Sequence, residues 1–270
     1  MGRCSLRCAG AELPQTNHTV MGHTEKLDSR QAQLNCGSPH HRKRETSRVD
    51  VRQMNPVNQA IETRRTVARP IKILGIAGSL REGSYNKHLL RAASGLLPPS
   101  AQLEIFDLDG IPPYNQDMET LAFPETVNAL KRKIEEADAL LISTPEYNHS
   151  YPGVLKNAID WASRPYGKNS FDGKPTAVMS ASPTLFGGVA AQDHLKQVLL
   201  ALNTRIVTQP AVIVSMAHEK FDENGNLLDS NTQLFLRQLI TNLVNTARQF
   251  SRAEQTFIAP ALRPIITNKQ

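Results

Sequence analysis

From Ile71 onward the hydrophobic positions fall into short blocks that alternate between two periods. Residues 71–79 (IKILGIAGS) are apolar and β-branched and end in a Gly/Ser turn, the composition of a buried strand. Over 86–97, Leu89, Leu90, Ala93 and Leu97 recur at helical spacing, and Pro98 and Pro99 stop that helix. Residues 101–109 (AQLEIFDLD) alternate apolar and polar side chains as a second strand. A loop with Pro112 and Pro113 follows, and then a helix over 124–137 carries Val127, Leu130, Ile134 and Ala137 on one face. A third strand opens the segment 139–147 (ALLISTPEY), and a short helix covers 153–162. A fourth strand over 175–183, a helix over 187–202, a fifth strand over 205–215 and a long helix over 232–250 complete the pattern.

Strands that alternate with helices imply an α/β domain with a parallel sheet covered on both faces. Five strands in one domain favour the flavodoxin-like, doubly wound order 2-1-3-4-5. In that order the switch point lies between strands one and three, and ligands bind beyond the carboxyl ends of the strands. The loops after strands one and three are therefore the places to look for chemistry.

Charge separates the chain into parts. Residues 1–70 hold 12 Lys/Arg against 6 Asp/Glu, whereas 71–270 hold 19 of each, so the net charge of +6 belongs to the first quarter. That quarter is polar and poor in aromatics, and such a segment buries too little apolar surface to offset its ordering entropy. The expected organisation is a basic, disordered extension over 1–69, a catalytic domain over 70–252 and a tail over 253–270. The cluster HHRKR (40–44) reads as a solvated run, so a nucleic-acid partner is not expected. Cys4, Cys8 and Cys36 all lie in the extension, which leaves the domain no disulfide framework and no thiolate nucleophile. Cys4 and Cys8 with His18 and His23 lack the spacing of a zinc site, and no metal is expected. No stretch approaches the length of a membrane span, and the amino terminus lacks the apolar core of a secretory signal, so the expected location is cytoplasmic.

The loop after strand one reads GSLREGSYN (78–86) and runs into a helix start. The first amides of a helix lack internal partners and point at whatever lies in front of them. Ser79, Ser84 and Asn86 add neutral donors and Arg81 a forked cation. Together they describe a phosphate cradle. Without the GK(S/T) of a P-loop or a GxGxxG fingerprint, it suits a monophosphate ester. The competing reading is a polar cap in which Ser84 or Asn86 satisfies its own helix. The loop after strand three, TPEYNHSYPG (144–153), is stiffened by two prolines and carries two tyrosines. It suits stacking on a flat ring, with backbone amides at the ring's polar edge; an ordinary turn is the alternative. The loop after strand four, SPTLFGG (182–188), allows close approach at Gly187 and Gly188, or is a plain strand-to-helix turn. Trp161 reads as core and Asp160 as a solvated helix position, and no side chain suits acid/base catalysis.

GSLREGSYN (78–86), PEYNHSYPGVLKNAIDW (145–161) and the SASP…GG segment (180–188) resemble the NADPH-dependent FMN reductase family, chiefly its chromate and quinone reductases, from about Ile71 to about Leu243. The resemblance implies a flavodoxin-like fold, bound FMN, hydride from NADPH or NADH, and homodimers or homotetramers. By position it assigns Ser79, Arg81, Ser84 and Asn86 to the FMN phosphate, Pro145, Glu146, Tyr147 and Asn148 to the isoalloxazine, and Ser182 and Gly187 to the third side of the flavin. Two departures stand out: Thr184 replaces a usual Gly, and Ala190 stands where relatives often carry Arg. The implied activity is an NAD(P)H oxidoreductase that passes hydride through FMN to quinones, azo compounds, chromate-like oxyanions or free flavin by ping-pong kinetics. The flavin carries the redox chemistry, and no catalytic side chain is assigned. Two other classes compete, a flavodoxin-like one-electron carrier and a non-catalytic flavin-binding or interaction module. The near-neutral domain and its PEYN segment (145–148) speak against the carrier, and the phosphate loop against the module.

Overall fold

A computed structural model describes residues 69–258, with side chains placed as far as Ser251. The expected tail over 253–270, beyond the helix backbone to Ile258, lies outside the described residues. So does the expected extension over 1–69, except Arg69, together with its cysteines, its histidines and its basic cluster.

The element order is β1 (Ile71–Ala77), α1 (Tyr85–Ser94), β2 (Ala101–Phe106), α2 (Gln116–Leu121), α3 (Glu125–Glu136), β3 (Ala139–Thr144), α4 (Gly153–Ala162), β4 (Pro175–Ala181), α5 (Val189–Ala201), β5 (Arg205–Val214), α6 (Ala217–Lys220) and α7 (Ser230–Ile258). The five strands form one sheet in the order β2-β1-β3-β4-β5, and every pairing is parallel. This is the doubly wound, flavodoxin-like arrangement expected from the sequence.

Strand periodicity divides the core in two. Ile71, Ile73 and Ala77 of β1, Leu141 of β3 and Met179 of β4 face α1 and α7, where Leu89, Leu90, Leu236, Ile240 and Leu243 cover them. Leu74 and Ile76 of β1, Leu140 and Ile142 of β3 and Val178 of β4 face α3, α4 and α5, against Leu130, Ile134, Leu155, Ile159 and Leu195. Successive residues point to opposite faces, so a strand buried on both faces needs an uninterrupted apolar run. Each fully buried Leu or Ile contributes about 1.5–3 kcal/mol relative to exposure.

The ends of the elements have local causes. The second strand stops three residues short of expectation, because the Asp107 carboxylate accepts from Asp109 N–H at 3.1 Å and turns the chain. β3 ends before Pro145, which has no N–H to continue a ladder. In β5 the ladder is interrupted: Val207 pairs with Ala177 and Val212 with Met179, so residues 208–211 bulge opposite Val178 alone. Pro210 lies in that bulge on an edge strand, where a strand proline is tolerated, and Asn242 of α7 donates to Gln209 O at 3.0 Å. The short helices α2 and α6 come in addition to the expected elements. Asn115 caps α2, accepting from Asp117 N–H at 2.9 Å, and Asp117 and Glu119 occupy its first turn.

Candidate functional site

Three loops converge where β1, β3 and β4 end. A Cβ on Gly78 would lie 3.3 Å from both Pro145 Cδ and Thr144 Oγ1, and one on Gly188 would lie 3.7 Å from Thr144 O.

The loop after β1 is built to leave donors over. Ser84 caps α1, its hydroxyl accepting from Asn86 N–H at 3.3 Å. Ser79 is buried and accepts from Arg81 N–H at 3.4 Å. The first turn of α1 contains no acidic residue, so no carboxylate of that turn meets the positive end of the helix dipole. Among the described residues, the N–H groups of Leu80, Glu82 and Gly83 find no acceptor, and the exposed guanidinium of Arg81 finds no partner. Lys87 braces the loop from behind. Its ammonium donates to Asp107 at 2.9 Å and Leu80 O at 3.3 Å and lies 3.5 Å from Glu82. The Asp107 hydrogen bond holds its pKa above the ordinary lysine value.

Asn86 is turned the other way. It is 1% exposed, and its amide group donates to Ala181 O at 2.9 Å. Its side-chain oxygen accepts from Ser143 Oγ at 2.9 Å and from Ala181 N–H at 3.0 Å. Its side chain therefore straps α1 to the ends of β3 and β4. Of the four residues expected at this loop, Arg81 reaches outward, Ser79 and Ser84 shape the turn, and Asn86 fixes the loop to the sheet.

The loop after β3 is a tight hairpin. Tyr147 and Ser150 exchange backbone hydrogen bonds at 2.8 and 3.1 Å, around Asn148 (φ 51°) and His149 (φ 60°). Positive φ at both central residues is the type I′ turn, whose twist matches flanking extended segments. Pro145 is buried beneath it, and Tyr147 presents its ring at 49% exposure. The Glu146 carboxylate accepts from Ala191 N–H in the first turn of α5 at 3.2 Å. It supplies the cap that Gly188, the residue before that helix, cannot. His194 of α5 and the Ser150 hydroxyl lie 3.2 Å apart, a second tie between loop and helix. As expected, Trp161 is core; its indole donates to Pro112 O at 2.8 Å. Asp160 pairs with Lys156 one helical turn away at 2.8 Å.

The loop after β4 gives its glycines a reason within the fold. Gly187 (φ 64°) and Gly188 (φ 95°) are both left-handed. A Cβ on Gly187 would lie 2.6 Å from Ile213 Cγ2, and one on Gly188 would lie 2.7 Å from Ser180 Cβ. The close approach they permit is to β4 and β5 of the same chain. The Ser182 hydroxyl stays within its own loop, 3.1 Å from Thr184 Oγ1, while Leu185 and Phe186 stand exposed at 78% and 69%. Lys87, Ser180 and Gln192 were not singled out from the sequence. The available signal was a polar residue placed within an apolar stripe.

Among the described residues, no group of three or more His, Cys, Asp or Glu is placed to hold a metal, and no helix is long and apolar enough to cross a membrane. Residues 71–219, which carry β1 to β5 and all three loops, match the family described as NADPH-dependent FMN reductase. The chain belongs to that family. FMN and NAD(P)H are accordingly the cofactors of this reductase. It is 49% identical over 173 residues to an NAD(P)H-dependent FMN reductase of Pseudomonas aeruginosa, covering 64% of this chain and 93% of that protein. It is 42% identical over 167 residues to a 2-hydroxy-1,4-benzoquinone reductase of a Burkholderia species, covering 62% of this chain and 91% of that protein. Among solved structures it resembles the flavoenzyme NAD(P)H:(acceptor) oxidoreductase of Paracoccus denitrificans, with TM-score 0.62 and 38% identity over 66% of this chain and 98% of that one. The donor set of the reductase fits FMN: unaccepted amides and a lone Arg81 suit a phosphate monoester, and the exposed Tyr147 ring suits a planar system.

Proposed function

We propose that residues 70–252 form an FMN-dependent NAD(P)H oxidoreductase that reduces small-molecule acceptors, with quinones foremost and azo compounds, chromate-like oxyanions and free flavin as further classes. The observation that carries this reading is the helix start at Tyr85. Its first turn lacks an acid, and its approach loop offers unaccepted N–H groups beside the unpaired Arg81. A phosphate monoester there gains charge-assisted hydrogen bonds that no described residue competes for.

In this reading Arg81 and the 80–83 amides hold the phosphate, Ser79 and Ser84 shape their turn, and Asn86 anchors it. Pro145, Glu146, Tyr147 and Asn148 form the platform along the ring, and the 182–187 loop closes the third side. When bound, FMN supplies hydride acceptance and two-electron donation. The residues named here would position the flavin and exclude water, and none of them is assigned a proton transfer. NAD(P)H and the acceptor would enter the same open site in turn, which would give ping-pong kinetics. NAD(P)H, a quinone and a proton become NAD(P)⁺ and a hydroquinone. The relative named as a benzoquinone reductase supports the acceptor class. Exposed Leu185 and Phe186 support a homodimer or homotetramer, since burying them in a subunit contact removes apolar surface from water.

The test is an anaerobic absorbance spectrum of the purified protein before and after one equivalent of NADPH, then one of a benzoquinone. Bleaching by NADPH and recovery with the quinone are expected. A flavin band that bleaches only with dithionite would overturn this reading in favour of an electron carrier. Absence of flavin after reconstitution with FMN would overturn it in favour of a non-catalytic module.

A further inference from the structure

The core beneath the third loop contains polar side chains that the activity does not yet use. Ser180 of β4 and Gln192 of α5 are 0% and 1% exposed. Polar groups buried this deeply are retained where their hydrogen bonds fix something. The Ser180 hydroxyl donates to Gly187 O at 2.6 Å. It also accepts from Gln192 Nε2 at 2.9 Å, and the same nitrogen donates to Val212 O at 2.8 Å. Both Nε2 hydrogens are thereby used. The remaining oxygen of Gln192 is buried and has no partner among the described residues. Leaving it so costs free energy, and the gain must lie in what Nε2 holds.

Directly it holds the Val212 carbonyl of β5, and through the Ser180 hydroxyl it holds one peptide group of the third loop. The Gly187–Gly188 peptide is trans, so its carbonyl and its N–H point in opposite directions. Ser180 draws the Gly187 carbonyl inward onto β4. The N–H of Gly188 is therefore turned outward, away from β4, and no acceptor among the described residues meets it. Gly188 lies flat on Ser180, where any Cβ would collide with it at 2.7 Å, and beside Thr144 O, where the β3 loop begins. Gly188 is itself buried, so this unaccepted N–H lies inside the start of the third loop, next to the point where the β3 loop begins.

We infer that Ser180 and Gln192 are positioning residues of the flavin pocket: their relay locks the Gly187–Gly188 peptide so that the Gly188 N–H is a preset donor to the polar edge of the isoalloxazine. This rests on the pocket assigned under Proposed function. A donor held in advance costs no reorganisation when flavin binds, which is the reason to bury the relay instead of leaving the loop free.

The experiment compares wild type, Ser180→Ala and Gln192→Met, reconstituted with FMN. Ser180→Ala removes the inward anchor; Gln192→Met keeps length and packing but frees the Ser180 hydroxyl. For each protein, the FMN dissociation constant, the visible absorption envelope of bound FMN and the apoprotein melting temperature are measured. Binding about tenfold weaker in Ser180→Ala, and a smaller loss in Gln192→Met, is expected. The expected envelope is shifted in both, because a hydrogen bond to the ring perturbs its transitions. A lower apoprotein melting temperature with unchanged affinity and envelope would overturn the inference and leave a purely structural relay. If Ser180→Ala does not fold, Gln192→Met decides by the same two readouts. Failure of wild type itself to bind FMN would overturn the pocket assignment, a result separable from any difference among the variants.

Discussion

The two ends of the sheet treat polar groups in opposite ways. At the amino end, Arg69 forks onto both Asp138 oxygens at 2.7 and 2.6 Å, and Asp138 also accepts from Lys72 N–H at 2.9 Å. Lys133 pairs with Glu104 at 2.7 Å, and Lys174 donates to the closing carbonyls of α3, Glu135 O at 2.8 Å and Ala137 O at 2.7 Å. A cavity of about 340 Å³ lies among these residues, lined by Lys72, Glu104, Lys133 and Glu136, and two of its four charges, Lys133 and Glu104, answer each other. At the carboxyl end, Arg81 has no partner among the described residues, a row of amides has no acceptor, and Tyr147, Leu185 and Phe186 are exposed. Volume therefore does not locate the chemistry here. In the proposed reading the unaccepted amides beside Arg81 mark it instead, because a phosphate monoester would complete their bonding.

The contrast is tested most severely at Gly188. Alanine there must adopt φ near 95° with its Cβ 2.7 Å from Ser180. Left-handed strain of about 1–2 kcal/mol adds to overpacking of about 1–3 kcal/mol, so we predict a loss of about 2–5 kcal/mol in stability. Urea denaturation of the apoprotein measures it, and a loss below the lower bound would show that the third loop has room to move. Next comes Arg81→Ala, predicted to leave apoprotein stability within about 0.5 kcal/mol of wild type because the side chain has no partner to lose. FMN affinity should fall by about 1.5–3 kcal/mol, the worth of a charge-assisted hydrogen bond. Fluorescence titration against riboflavin, which lacks the phosphate, sharpens this result: the two flavins should lose affinity unequally, with riboflavin nearly unaffected.

The sequence shows the frame of the contrast better than its details. Runs such as IKILGIA (71–77) and ALLIST (139–144) have one physical explanation, burial on both faces, and their order leads to the switch point. Gly78–Asn86 reads as a candidate anion loop because helix starts and their donors are local. Asn86 is not legible as a strap, because its partner Ala181 is 95 residues away and no spacing encodes that contact. Glu146 likewise reads as part of a platform, whereas its carboxylate caps a helix that begins 43 positions later. The glycines of the third loop are visible, but the neighbours that require them, Ile213 and Ser180, emerge only when β4 and β5 are side by side. Two signals were readable locally: Asn115 ahead of Asp117 and Glu119 marks a helix start, and Pro210 marks an interrupted strand.

Glu146 tests whether the second and third loops behave as one unit. Glu146→Ala removes the acceptor for Ala191 N–H and the negative charge at the start of α5, at a predicted cost of about 1 kcal/mol in stability. Glu146→Gln keeps an acceptor oxygen and should recover about half of that loss. FMN affinity is expected to follow the same order, because the ring platform and the α5 start are joined through this side chain. Equal affinity in all three proteins would separate the loops and confine Glu146 to helix capping.

The smallest expected effect, at the amino end, concerns acid stability. Burial alone would raise the Asp138 carboxyl, but the forked hydrogen bond from Arg69 and the Lys72 N–H outweigh it, and the group is held below the usual carboxylate range. A group depressed in the folded state contributes stability above its unfolded value of about 3.9 and loses that contribution as pH falls through the folded value. Arg69→Ala should therefore destabilise by about 0.5–1 kcal/mol near neutral pH, a modest figure because the guanidinium is largely in water and screened. The penalty should shrink toward zero as the pH falls below both values, where the carboxyl is protonated with or without its partner. FMN affinity at neutral pH should not change, since Arg69 lies at the end of the sheet remote from the three loops. Urea midpoints for both proteins, at neutral pH and near the carboxylate range, measure this difference. A penalty of equal size at both pH values would mean that the ion pair is not what links this end of the fold to acid. A parallel loss of FMN affinity would mean that the two ends of the sheet are not independent.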